Sequence, residues 1–261
     1  MKKYFTLALS LMVMCMFIAC GGEKKVEEKP AVETETQLAT SGMGGYTVTD
    51  VTNGGTITGK VTFAGMIPQK KKLEVTKDMN VCGKTEHYDE SVVVSSDKGL
   101  ANVVVKLTNI SAGKAYPEGV YQIDQRGCAF LPHIAFVPVG SAITIINSDG
   151  ILHNIHTYSE VNPAINVAQP GFKKSMTQTF EKAEVIRIAC DVHNWMSGYI
   201  VVMDNPYYAV TDASGNFEMS GVPAGTYTIE YWQETLGTQT AQVTVAAGSA
   251  VMVNAEFAAG S

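Results

Sequence analysis

From residue 54 onward the chain is interrupted again and again by clusters of Gly, Pro, Asn, Asp and Ser. The stretches between them are short, and their apolar residues alternate with polar ones instead of recurring every three or four places. In "GGTITGKVTFAG" (54–65), Ile57, Val61 and Phe63 share one parity, with Gly59 between them. Residues two apart point to the same side of a strand, so this pattern describes a strand buried on one face. "ESVVVSSDKGLANVVVKL" (90–107) reads as two strands around a turn, and "HIAFVPVGSAITIINSDG" (133–150) as two more around Pro-Val-Gly. "YYAVTDASGNFEMSGVPAGTYTIEYWQ" (207–233) continues with three, and residues 238–258 add two. Turn signals at intervals of about 8–12 residues mark an all-β chain of sandwich type. No stretch of ordinary helix length carries a 3.6-residue pattern.

The N-terminus obeys other rules. "MKKYFTLALSLMVMCMFIAC" has Lys2 and Lys3 ahead of an apolar run from Phe5 to Ala19. That is the form of a signal peptide over residues 1–19, and the run is short for a membrane span. "FIAC-GG" resembles a lipoprotein cleavage box, which implies lipid on Cys20, export from the cytoplasm, and a periplasm-facing or surface lipoprotein of the bacterial envelope. Residues 20–53 are rich in mixed charge, Thr and Gly, and read as a disordered tether. A formal charge of −6 argues against nucleic acid as a partner.

Five cysteines are present. Cys15 leaves with the signal peptide and Cys20 is the lipidation site, so Cys82, Cys128 and Cys190 remain. An odd number in an oxidising compartment requires an unpaired one. Cys190 is the candidate, because "CDVHNWM" (190–196) sets a thiol, an imidazole and a thioether within seven residues. Cys82 with Cys128 is then the candidate disulfide; the rival use of Cys128 is a second site with His133 in "RGCAFLPH". In "EVIRIAC" (184–190), Ile186, Ile188 and Cys190 share a face, so the thiol points where the buried isoleucines point.

A mononuclear redox copper site takes two imidazoles, a thiolate and a weak axial thioether. "NSDGILHNIHTY" (147–158) offers His153 and His156 for the second imidazole. In an extended chain residues three apart face opposite sides, so only one of the pair can reach the Cys190 loop. Zinc held by His153, His156, Cys190 and His193 is the inorganic rival, and it requires both histidines to face one way.

These two elements together, "NSDGILHNIH" and "CDVHNWM", resemble the cupredoxins, the family of plastocyanin, pseudoazurin and amicyanin. The resemblance covers roughly residues 120–203. It implies a Greek-key β-sandwich over 113–203 and one copper ion on His153, Cys190, His193 and Met196. It also implies that Asn154 braces the Cys loop and that His156 lies outside the ligand set. "VTDASGNFEMSGVPAGTYTIEYW" (210–232) resembles carboxypeptidase regulatory-like, or transthyretin-like, β-sandwich modules, whose opening strand resembles "GTITGKVTF" far upstream. This implies a second sandwich split into 54–112 and 204–258, with the cupredoxin inserted. The whole order is similar to plastocyanin-like proteins of the type labelled methylamine-utilisation proteins.

The resemblance implies electron transfer by a Cu(I)/Cu(II) carrier, with the exposed edge of His193 beside Trp195 as the port. Partners would be envelope redox proteins that dock transiently, such as a c-type cytochrome or a quinol- or amine-oxidising enzyme. With no substrate-binding triad or carboxylate pair evident, the chain does not read as an enzyme. The alternative is a copper carrier, or a non-redox binding or structural module at the cell surface.

Overall fold

The computed structural model describes residues 45–259. The expected signal peptide, the expected lipidation site Cys20 and residues 20–44 of the expected tether lie outside the described residues. The described chain is all-β apart from one short 3₁₀ turn, Cys82–Lys84.

Two pairs of sheets enclose two separate cores. The first pair is built from the middle of the chain. One of its sheets runs Ser175–Thr179, Ala142–Asn147, Tyr121–Gln125, Phe130–Leu131; the other runs Asn166–Gln169, His153–Tyr158, Glu184–Ala189, Ser197–Met203, Ile134–Pro138. Ile123, Ile143 and Ile145 of one sheet meet Ile155, Ile186, Ile188, Ile200 and Val202 of the other in a closed apolar core. Along Tyr121–Gln125 and Ala142–Asn147 buried residues alternate with less buried ones, as burial of a single face demands, whereas Ile134–Pro138 and Ser197–Met203 are largely buried on both sides.

The second pair is built from both ends of the described chain. The order Tyr208–Val210, Val104–Leu107, Gly225–Gln233, Gly237–Val245 forms one sheet. In the other, Gly55–Ala64 lies between Asn216–Val222 and Ala250–Met252, and also pairs with Ala255–Ala258. Ile57, Val61 and Phe63 face Val105, Leu107, Ile229, Tyr231 and Val243. Gly59 breaks their run because a Cβ there would lie 2.0 Å from the Val253 carbonyl and 2.5 Å from the Phe217 ring. A small apolar seam of Val104, Ile134 and Val201 joins the two sandwiches. Tyr208 packs beside it, while Tyr207 is buried in the second core with its hydroxyl donating to the Gly221 carbonyl at 3.0 Å.

Four expectations are corrected. The tether was read to residue 53, but Tyr46 is buried in the second core and Thr47–Val48 pairs with Ala112–Gly113. One large aromatic ring supplies the burial that the composition average hides. Residues 90–94 do not form a strand of their own: a tight turn at 95–99 limits that hairpin to the bridge Val94↔Leu100. Residues 238–258 hold three strands rather than two. Finally, residues 54–112 do not all belong to the second sandwich. After Ala64 the chain leaves it, and Leu73, Val75, Val81 and Cys82 pack into the first core. This excursion closes with the antiparallel pair Lys72–Leu73 and His87–Tyr88.

Candidate metal centre

The strand Glu184–Ala189 delivers Cys190 to the end of the first sandwich, where alternation has already turned its thiol inward. The following loop closes on itself: the Met196 N–H donates to the His193 carbonyl at 2.9 Å and the Cys190 N–H to the Met196 carbonyl at 3.3 Å. The neighbouring strand His153–Tyr158 begins with its own histidine beside that loop. His153, Cys190 and His193 are all buried.

Their donor atoms converge. His153 Nδ1 and His193 Nδ1 lie 3.0 Å apart, and the Cys190 Sγ lies 3.9 Å from the first and 3.7 Å from the second. An ion bound at about 2.0–2.3 Å from nitrogen and sulfur requires donor separations of roughly 3–4 Å. Met196 is buried in the same core as Cys190 and Trp195.

Each imidazole is held from behind. His153 Nε2 donates to the buried carboxylate of Asp149 at 2.9 Å, and His193 Nε2 donates to Asp78 at 2.9 Å. Asp149 in turn accepts the N–H groups of Gly127 and Cys128. A carboxylate only accepts, so both Nε2 atoms carry hydrogen and both Nδ1 lone pairs turn toward each other and the sulfur. Two lone pairs 3.0 Å apart are stable only with positive charge between them, a proton or a metal ion. The donor set therefore fits a soft or borderline cation.

The charges without a metal follow. Burial lowers the pKa of His193, and the Asp78 carboxylate does not reverse this. Burial also opposes the charged form of His153, but hydrogen bonds and charges from Asp149 and Cys190 outweigh it and hold its pKa at about 9. Burial would raise the Cys190 thiol; hydrogen bonding from His153 and from the loop N–H groups wins and lowers it. The result is a cationic His153 ring facing a thiol that gives up its proton more readily than a free one.

Asn154 ties the two motifs together. Its Oδ1 accepts the Asp191 N–H at 2.6 Å and the Val192 N–H at 3.4 Å, and its Nδ2 donates to Asn166 at 2.7 Å. His156 faces away and sits 3.0 Å from the Asp191 carboxylate. The four-ligand zinc set is therefore not assembled. Cys82 and Cys128 are disulfide-bonded, and His133 contacts Glu234 and Glu90, so Cys128 and His133 do not form a second site.

One expectation about the site fails. His193 has no exposed edge: the ring is fully buried beneath Asp78, and Trp195 is buried 5.1 Å from it. Sequence reasoning also missed both carboxylates. Asp149 lies within the quoted histidine motif, four residues before His153, at a distance that lets a tight loop return to the ring. Asp78 is 115 positions from His193 and carries no local signal.

The carboxypeptidase regulatory-like domain profile matches residues 196–258. That match starts at Met196, just before the strand Ser197–Met203 of the first sandwich, and extends through the C-terminal strands of the second. Among solved structures, a variant of amicyanin in its Cu(I) form is 23% identical over 33% of this chain and 85% of its own, with a TM-score of 0.30. A purple cupredoxin from Nitrosopumilus maritimus is 23% identical over 32% of this chain and 99% of its own, with a TM-score of 0.27. A copper-containing nitrite reductase from Thermus scotoductus is 20% identical over 38% of this chain and 25% of its own, with a TM-score of 0.31. No curated protein matches the chain.

Proposed function

We propose that this chain is an exported mononuclear copper protein that carries single electrons in the bacterial cell envelope and is not an enzyme. The observation that carries the reading is the convergence of His153 Nδ1, His193 Nδ1 and Cys190 Sγ at a buried point, with both imidazoles held from behind by carboxylates. These three would hold the ion, with Met196 as the thioether the same loop offers. Copper in such a set supplies a one-electron Cu(II)/Cu(I) couple whose potential depends on the axial ligand and on the surroundings of the sulfur. The chain's contribution is rigidity. Cys190 and His193 are fixed by the loop hydrogen bonds, His153 by its strand and Asp149, and Asn154 prevents the two elements from separating. Donors held this way move little between charge states.

Lipid on Cys20 would place the protein at the membrane. Its partners would be envelope redox proteins, a c-type cytochrome or a quinol- or amine-oxidising enzyme, and because His193 is covered they would exchange electrons across the covering segment. The test is a visible spectrum of the purified chain with Cu(II). We expect an intense thiolate-to-copper band that bleaches on reduction. Cys190→Ser should abolish it while far-ultraviolet circular dichroism stays unchanged. No band in the wild type, or the same band in the variant, overturns the reading.

A further inference from the structure

The burial of His193 needs an explanation, because its loop sits at an open end of the first sandwich. What covers it is the excursion that follows the strand Gly55–Ala64: residues 73–84 leave the second sandwich and pack onto the first. At the tip of this segment Asp78 turns with a left-handed φ of 49°, and its carbonyl accepts the N–H groups of Val81 and Cys82 at 2.8 and 2.9 Å. That turn points the carboxylate at the His193 ring.

The segment is anchored at several points around the centre. Cys82 is bonded to Cys128. The Cys128 carbonyl accepts the Trp195 Nε1–H at 3.2 Å, and its N–H donates to Asp149, the carboxylate behind His153. The ring of His87 donates to the Cys82 carbonyl at 3.0 Å and packs 6.0 Å from Trp195. The disulfide thus lies between the supports of both imidazoles. One arm reaches His193 through Asp78; the other reaches His153 through Asp149.

We infer that Asp78 is a positioning residue for His193, and that the disulfide-stapled segment 73–84 is a fixed cover over the metal-binding end. A neutral imidazole has two tautomers, and only the one with hydrogen on Nε2 leaves the Nδ1 lone pair free as a donor. Asp78 selects that tautomer, since its oxygen can only accept. The cover also keeps water and small anions from the open edge of the pocket, which strengthens the electrostatic interactions inside it. The inference rests on the copper reading for its purpose, but its geometry can be tested without metal.

Two measurements on the metal-free full chain test it. The first is ¹⁵N imidazole NMR, with the His193 resonances assigned by their loss in His193→Gln. Wild type should show hydrogen on Nε2 of His193. Made in a His153→Ala background, so that no ring proton from His153 fixes the same tautomer, Asp78→Ala should shift the His193 ring toward a mixture of tautomers, and Asp78→Asn, which keeps an acceptor oxygen, should restore the form with hydrogen on Nε2. An unchanged tautomer in Asp78→Ala refutes the positioning role. The second is iodoacetamide alkylation of Cys190, read by peptide mass so that other cysteines do not interfere. The doubly substituted Cys82→Ser/Cys128→Ser chain should be alkylated at Cys190 at least tenfold faster than wild type. Equal rates refute the cover. If that chain does not fold, Lys77→Gly/Asp78→Gly, which loosens the tip with the disulfide intact, should also accelerate alkylation, and equal rates there refute the cover as well. Failure of the copper spectrum alone leaves both results readable.

Discussion

Asn154 shows how much one side chain carries at the residue scale. Its Oδ1 is the acceptor for two consecutive N–H groups directly after Cys190. Without it the Asp191 N–H loses its protein partner, and leaving a partly buried donor unpaired costs about 1–3 kcal/mol. Asn154→Ala should therefore lower unfolding stability by about that amount in the metal-free protein, measured by urea denaturation. It should also speed loss of bound metal to a chelator. A stability change under about 0.5 kcal/mol would mean that the Cys190 loop holds itself without Asn154. His156, which the resemblance leaves outside the ligand set, is engaged with Asp191 and stacks 4.3 Å from Tyr158.

Elements respond to backbone limits more than to single contacts. Gly59→Ala would press a methyl group onto the Val253 carbonyl, which is backbone and cannot swing away. Overpacking of this kind costs about 1–3 kcal/mol or more, so the variant should melt several degrees lower in thermal denaturation. The Cys82–Cys128 staple closes a separation of 46 residues. In the chain-entropy model this contributes about 4 kcal/mol, so unfolding with and without reductant should differ by a few kcal/mol. These two features differ in how far the sequence reveals them. The strands were readable because burial on one face imposes a period of two, which is why Ile186, Ile188 and Cys190 point where alternation put them. Cys190 was readable for the same reason, whereas alternation left His153 and His156 as alternatives and only the resemblance of the motif chose His153. The cover was not. Residues 65–89 have no repeating pattern, and what fixes them is a disulfide and a carboxylate whose partners are remote in the chain. Tyr46 escaped for a related reason: one ring decides the burial of a segment whose average composition is that of a linker.

Across the whole molecule, the seam between the sandwiches has one ionisable switch. His133 belongs to the first sandwich, just before the strand Ile134–Pro138, and it is buried. Its Nε2 lies 2.7 Å from Glu234, directly after the strand Gly225–Gln233 of the second sandwich, and its Nδ1 lies 3.5 Å from Glu90, an ion-pair distance without a hydrogen bond. Tyr199 packs edge-on against the ring at 5.9 Å and against Trp232 at 5.0 Å. Burial alone would lower the His133 pKa, but the hydrogen bond to Glu234 and the charges of Glu234 and Glu90 outweigh it and raise the value from 6.5 to about 9. A histidine whose pKa is raised by folding adds stability that is fully present below its unfolded value and is lost as pH climbs through the folded one. The window is therefore roughly pH 6.5 to 9, and the effect is on the order of 3 kcal/mol at most. His153 titrates in the same window with the same sign when no metal is bound, so a single stability curve mixes the two. The difference between wild type and His133→Gln isolates the seam. Wild type should lose stability more steeply than the variant between pH 6.5 and 9, measured by urea denaturation of the metal-free chains. Parallel curves would mean that the apolar and aromatic contacts of the seam hold the two sandwiches together and that the His133 ion pairs add no pH-dependent stability.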